Sequence, residues 1–141
     1  MSLRFLLDTN IISEPMQLIP NLSVYRKIKN HASEIAIASI VWHELIFGIS
    51  LLENSHRKKL LQNYVDRVIN PGLPILPYGE VAAHWHAQER ARLQKIGIQI
   101  PVSDAQIAAI AYTNDLILVT RNEKDFKAFQ GLKIENWFGA V

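Results

Sequence analysis

Apolar side chains come in short blocks along this chain, each closed by a polar or helix-breaking residue. Leu3, Phe5, Leu6 and Leu7 form the first block, which stops at Asp8-Thr9-Asn10. A block without regular polar alternation predicts a short strand buried on both faces, as in a parallel sheet. Ile11-Ile12 before Ser13-Glu14-Pro15 predicts a helical turn stopped by proline. Pro20-Asn21-Leu22-Ser23 opens a helix with Val24, Tyr25 and Ile28 as its apolar side. Glu34-Ile35-Ala36-Ile37-Ala38 predicts a second strand, ending at Ser39. Ser39 is the expected N-cap of a helix over about 40–52, whose core face is Val41, Leu45, Ile49 and Leu52. A further helix over about 56–69 carries Leu60, Leu61, Tyr64, Val65 and Val68.

Asn70-Pro71-Gly72 breaks the chain. Leu73-Pro74-Ile75-Leu76-Pro77 reads as a short extended segment whose prolines suit a strand end or edge. A long helix follows over about 80–96, with Val81, Trp85 and Leu93 among its apolar residues, ended by Gly97. Ser103-Asp104-Ala105-Gln106 matches a capping box, with Ser103 as N-cap of the next helix. Leu116-Ile117-Leu118-Val119 is the clearest strand and ends at Thr120-Arg121-Asn122. Residues 133–137 predict a final edge strand. Strands alternating with helices predict an α/β fold: a central parallel sheet of about five short strands flanked by helices.

The chain has 141 residues, 49% hydrophobic and 20% charged. This fits one globular domain over 1–141 with a sizeable core. No apolar run approaches the roughly 18 residues of a membrane span. Met1-Ser2-Leu3-Arg4 leads into the first strand without the apolar stretch of a signal peptide, so a cytoplasmic location is expected. The chain has 0 cysteines, which excludes disulfides, thiolate zinc sites and a Cys nucleophile. The net charge of +2 does not by itself imply nucleic acid. The basic groups His56-Arg57-Lys58-Lys59 and Arg90, Arg92, Lys95 read as solvated helix faces.

The chemistry lies in the carboxylates. Asp8 ends the first strand, where open α/β sheets place their sites, although an Asp there also caps a following helix. Glu44 sits in the early turns of the helix after the second strand, and Asp104 opens a later helix. Asn122 follows the fourth strand, with Asp125 three residues on. If those strand ends share one edge, the side chains converge. Convergent carboxylates repel, so a cluster calls for a cation. Oxygen ligands without Cys point to Mg²⁺ or Mn²⁺. Such ions polarise phosphodiesters and help deprotonate water. Each carboxylate also has an ordinary structural reading, since acids near helix N-termini gain from the macrodipole.

The stretch Leu7-Asp8-Thr9-Asn10-Ile11-Ile12-Ser13-Glu14 resembles the opening of PIN-domain ribonucleases, in particular the VapC-like toxins of toxin–antitoxin pairs. The resemblance continues through Ser39, Glu44-Leu45 and Gly48, then Gly97, Ser103-Asp104 and Ile107-Ala108-Ala109. It closes with Leu118-Val119-Thr120-Arg121-Asn122-Glu123-Lys124-Asp125-Phe126 and Glu135-Asn136-Trp137. It implies a Mg²⁺-dependent endoribonuclease, with Mn²⁺ as a substitute, leaving a 5′-phosphate and a 3′-hydroxyl. Asp8, Glu44 and Asp104 would ligate the metal. Many members have a fourth carboxylate at or near the position of Asn122. Here Asn122 can ligate through its carbonyl, and Asp125 can supply the missing charge. Thr9, Asn10, Ser39 and Thr120 would orient the carboxylates, or act as cap and turn residues. Arg121 would grip a substrate phosphate. The implied partners are an RNA substrate, a cognate antitoxin and a second copy in a homodimer or hetero-oligomer. The small-residue helix 105–111 suits either close packing with that copy or burial against its own sheet.

Other readings stay open at this point: a housekeeping RNA-processing nuclease, or a degenerate domain that only binds nucleic acid or a partner. A haloacid-dehalogenase-like phosphatase needs an Asp two residues after Asp8, where this chain has Asn10. His84 and His86 are two apart and point to different sides of a helix, so they do not form a zinc pair. His43 reads as a surface or packing residue beside Glu44. Trp42, Trp85 and Trp137 read as core or interface residues.

Overall fold

The computed structural model describes residues 2–69 and 71–139. Asn70, part of the expected chain break, lies outside the described residues. Five strands form one sheet in the order β3-β2-β1-β4-β5, and every neighbouring pair is parallel. They are β1 (Phe5–Leu7), β2 (Ile35–Ala38), β3 (Ile75–Leu76), β4 (Ile117–Val119) and β5 (Ile134–Glu135). Phe5 lies opposite Ile35 on one side and Ile117 on the other, which fixes the register of the three central strands. These strands are buried on both faces, as their unbroken apolar runs require. The two proline- and Lys-flanked strands are the edges, where missing donors and charges are tolerated.

The helices are α1 (Thr9–Ile12), α2 (Leu22–Asn30), α3 (Ser39–Ser50), α4 (His56–Tyr64), α5 (Glu80–Lys95) and α6 (Val102–Thr113). α4 runs on as a π-helical turn over Val65–Ile69. α5 and α6 pack on each other, and α6 packs on β4. The small side chains of Ala105, Ala108, Ala109 and Ala111 are buried in that packing, which accounts for them within the chain. α6 runs antiparallel to the strands and feeds β4, so its first turn lies over the carboxyl edge of the sheet. Both α5 and α6 end in a left-handed residue, Gly97 at φ 81° and Asp115 at φ 55°. In each case the following amide bonds back to a carbonyl in the last helical turn (Ile98 to Leu93, Leu116 to Ala111). Trp137 is 1% exposed and closes the core edge-on against Phe5 at 5.1 Å.

Several local expectations change. Ser39 is the first residue of α3, not its cap; Ala38 takes the cap position with no side-chain bond. Ser103 likewise lies inside α6, whose cap is Pro101. Proline at that point presets the turn and starts the helix two residues early. Asp104 is therefore the third helical residue. Tyr25, Leu60, Val68 and Val81 face outward, because each sits to the side of the stripe that meets the sheet.

Candidate active site

Parallel strands bring all their carboxyl ends to one edge, and the acidic side chains collect there. Asp8 follows β1 directly and is 7% exposed. Its Oδ1 accepts from the Thr9 amide at 2.8 Å, so it does cap α1. Its other oxygen accepts from the buried Thr120 hydroxyl at 2.8 Å, across 112 residues of sequence. Thr120 follows β4, the strand beside β1, and this adjacency creates the contact. The Thr9 hydroxyl donates to Glu44 Oε2 at 2.5 Å. The segment joining β1 to α1 thus holds one carboxylate and orients a second.

Asp104 enters from the first turn of α6. Burial, then the charges of Asp8, Asp125 and Glu44, push its carboxyl up to about 6. Burial also raises Asp8, with further contributions from Glu44 and Asp125, while the bonds from Thr120 and Thr9 work against the rise. The fourth charge felt at the site is therefore that of Asp125. Asn122 caps the 3₁₀ turn Glu123–Asp125 without a side-chain bond, and its amide donates to Thr120 Oγ1 at 3.1 Å. Among the described residues, no Lys, Arg or His is ion-paired with any of the four acids. Nor do any three acidic or histidine side chains lie close enough together to hold a metal ion as they stand.

The remaining candidates surround this centre. Asn10 Oδ1 accepts from the Arg121 amide at 3.1 Å. The Arg121 guanidinium lies 4.4 Å from the centre of the Phe138 ring. Ser39 borders a trough beside Glu44 with His43, Tyr78, Ser103 and Gln106. His43 is exposed and stacks on Phe47. His84 is exposed, whereas His86 is buried and bonds Tyr78 through Nδ1 at 2.7 Å. The sequence pattern does not single out Tyr78. The available signal is its place just past β3, at the same sheet edge as Asp8.

The sequence profile of the PIN domain matches residues 5–132. Toxin FitB of Neisseria gonorrhoeae is 33% identical over 135 residues, 94% of this chain and 97% of FitB. The tRNA(fMet)-specific endonuclease VapC of Shigella flexneri is 31% identical over 136 residues, 96% of this chain and 98% of that protein. Among solved structures, FitAcB from Neisseria gonorrhoeae superposes with a TM-score of 0.87 at 32% identity, covering 96% of this chain and 99% of that one. DNA-bound VapBC from Salmonella typhimurium gives 0.83 at 30% identity, covering 96% and 98%. No described helix is long and apolar enough to cross a membrane. With the profile and these relatives spanning nearly its whole length, the chain belongs to the PIN-domain family, alongside the FitB and VapC proteins.

Proposed function

We propose that this chain, a single PIN domain over 1–141, is a metal-dependent endoribonuclease acting in the cytoplasm as the toxin of a toxin–antitoxin pair. One observation carries the reading. Asp8 and Asp104 both feel the charges of Glu44 and Asp125 at one sheet edge, and among the described residues no cation is paired with these four acids. Such a donor set, all oxygen and unneutralised, fits a hard divalent ion, Mg²⁺ with Mn²⁺ as substitute. Asp8, Glu44 and Asp104 would hold it after side-chain rotation, with Asp125 adding charge and Asn122 an uncharged carbonyl. When bound, the ion supplies positive charge opposite a phosphodiester and acidifies water.

The protein's own groups do the positioning. Thr120 and the Thr9 amide fix both oxygens of Asp8, and the Thr9 hydroxyl orients Glu44. Asp104 carries a proton part of the time near neutral pH and releases it when positive charge arrives. Asn10 anchors the backbone of Arg121, and the Arg121 guanidinium would grip a substrate phosphate. FitAcB and VapBC are known as complexes, which supports a cognate antitoxin as partner, in a homodimer or hetero-oligomer.

The test is cleavage of cellular RNA by purified protein with Mg²⁺, with Mn²⁺ and with EDTA, followed by sequencing of the new ends. The expected result is metal-dependent cutting that is lost in a folded Asp8→Asn variant. Growth arrest on expression, relieved by a small protein encoded next door, supports the toxin role. Cutting at wild-type rate in EDTA excludes the metal mechanism.

A further inference from the structure

An acidic pocket repels a polyanion, so a nucleic-acid strand must be held by cations outside it. The trough beside Glu44, about 550 Å³, reaches from Ser39 to Tyr78. Tyr78 also borders a second open trough of about 520 Å³ along α5. Tyr78 is therefore the residue that the two troughs share, and the second extends along α5. Its floor along α5 is made of Ala83, Ala87 and Ala91, spaced four apart on one helix face. Its far end is bordered by Arg90 and Lys95, and no carboxylate lines this part. Ala83 to Lys95 covers roughly 18 Å of helix.

Two features separate this trough from a merely solvated helix face. Arg92, on the same helix, is engaged with Glu89 at 2.8 Å and with the Ala128 carbonyl. Among the described residues Arg90 and Lys95 make no ion pair at all. In addition, His86 is 6% exposed and borders the trough, with Nδ1 held by Tyr78. No hydrogen bond engages its Nε2 among the described residues, although that atom is not sealed from solvent. A fixed ring nitrogen, an aromatic ring and two uncommitted cations follow one another along a small-residue floor.

We propose that the single-stranded part of the RNA substrate runs from the carboxylate pocket past Tyr78 and His86 to Arg90 and Lys95, which hold its phosphates. This rests on the nuclease reading above. The ring of Tyr78 offers a stacking surface at the turn between the two troughs, and His86 Nε2 offers one hydrogen bond to a base or sugar. Arg90 and Lys95 set KM and leave the chemical step alone.

The experiment uses the full chain carrying Asp8→Asn and a short labelled single-stranded RNA of mixed sequence. Binding is measured against KCl concentration, with and without Arg90→Gln plus Lys95→Gln. Two lost phosphate contacts lower the slope of log affinity against log salt by about 1.4, and weaken binding roughly tenfold at low salt. In the cleaving protein the same pair raises KM with kcat retained, whereas Arg90→Lys with Lys95 intact keeps KM near the parent's. Both side chains are exposed, and far-UV circular dichroism checks that the fold is kept. An unchanged salt slope and KM, in a protein whose parent cleaves RNA, overturns the path while leaving the nuclease reading intact. A parent that cleaves no RNA with any metal overturns both. A shift of dimer to monomer with an unchanged slope overturns the path in favour of a protein interface.

Discussion

Replacing Asp104 with Asn removes a charge that the metal-free fold holds at a cost. Its carboxyl is raised from 3.8 to about 6 by burial and by three neighbouring acids. The full shift corresponds to ~3 kcal/mol. The side chain is half-buried, and screening by water reduces this to ~1–2 kcal/mol. Because the folded value lies above the unfolded one, the carboxyl stabilises fully below 3.8 and loses that contribution as pH rises through about 6. Asp104→Asn is neutral throughout. Its advantage is therefore near zero in acid and complete above the folded value. At this chain length ~1–2 kcal/mol raises Tm by about 3–8 °C. The assay is thermal denaturation by circular dichroism in EDTA across a pH series from about 5 to about 7.5, repeated in millimolar Mg²⁺. Added Mg²⁺ stabilises the parent by mass action and not the variant, narrowing the gap. A variant no more stable than its parent in EDTA at neutral pH refutes the reasoning. So does an advantage that is constant across the series.

Thr120→Val deletes the hydroxyl that donates to Asp8 and accepts from the Asn122 amide. It costs ~1–3 kcal/mol in denaturant titration and lowers cleavage roughly 10–100-fold, with Thr120→Ser recovering most of both. Arg92→Met leaves the buried Glu89 without its guanidinium, which holds that carboxyl below its usual 4.5. The ion pair's stability is present above 4.5 and fades as pH falls through the depressed native value. Tm of Arg92→Met therefore drops at neutral pH and converges on the parent in acid. Leu7→Ala in the fully buried β1 costs ~2–5 kcal/mol by cavity formation, read as a lower urea midpoint with unchanged slope.

The sequence by itself determined the strands and the class of fold. Leu6, Ile37 and Leu118 sit in apolar runs too uniform for a surface, and such runs between helical patterns admit a parallel sheet and little else. The same logic places Asp8 and Thr120 at strand ends. Helix starts were less legible: Ser39 and Ser103 look like caps, yet proline at position 101 and the strand exit at Ala38 begin those helices earlier. Which hydroxyl serves which carboxylate was decided only in three dimensions. Thr120 meets Asp8 because β4 lies beside β1, and Thr9 meets Glu44 because α1 packs against α3. The burial and mutual repulsion that raise Asp104 are likewise properties of the assembled edge, since charges at 8, 104 and 125 act on one another only through space. Periodicity records which face of an element is apolar; it carries no record of which elements become neighbours.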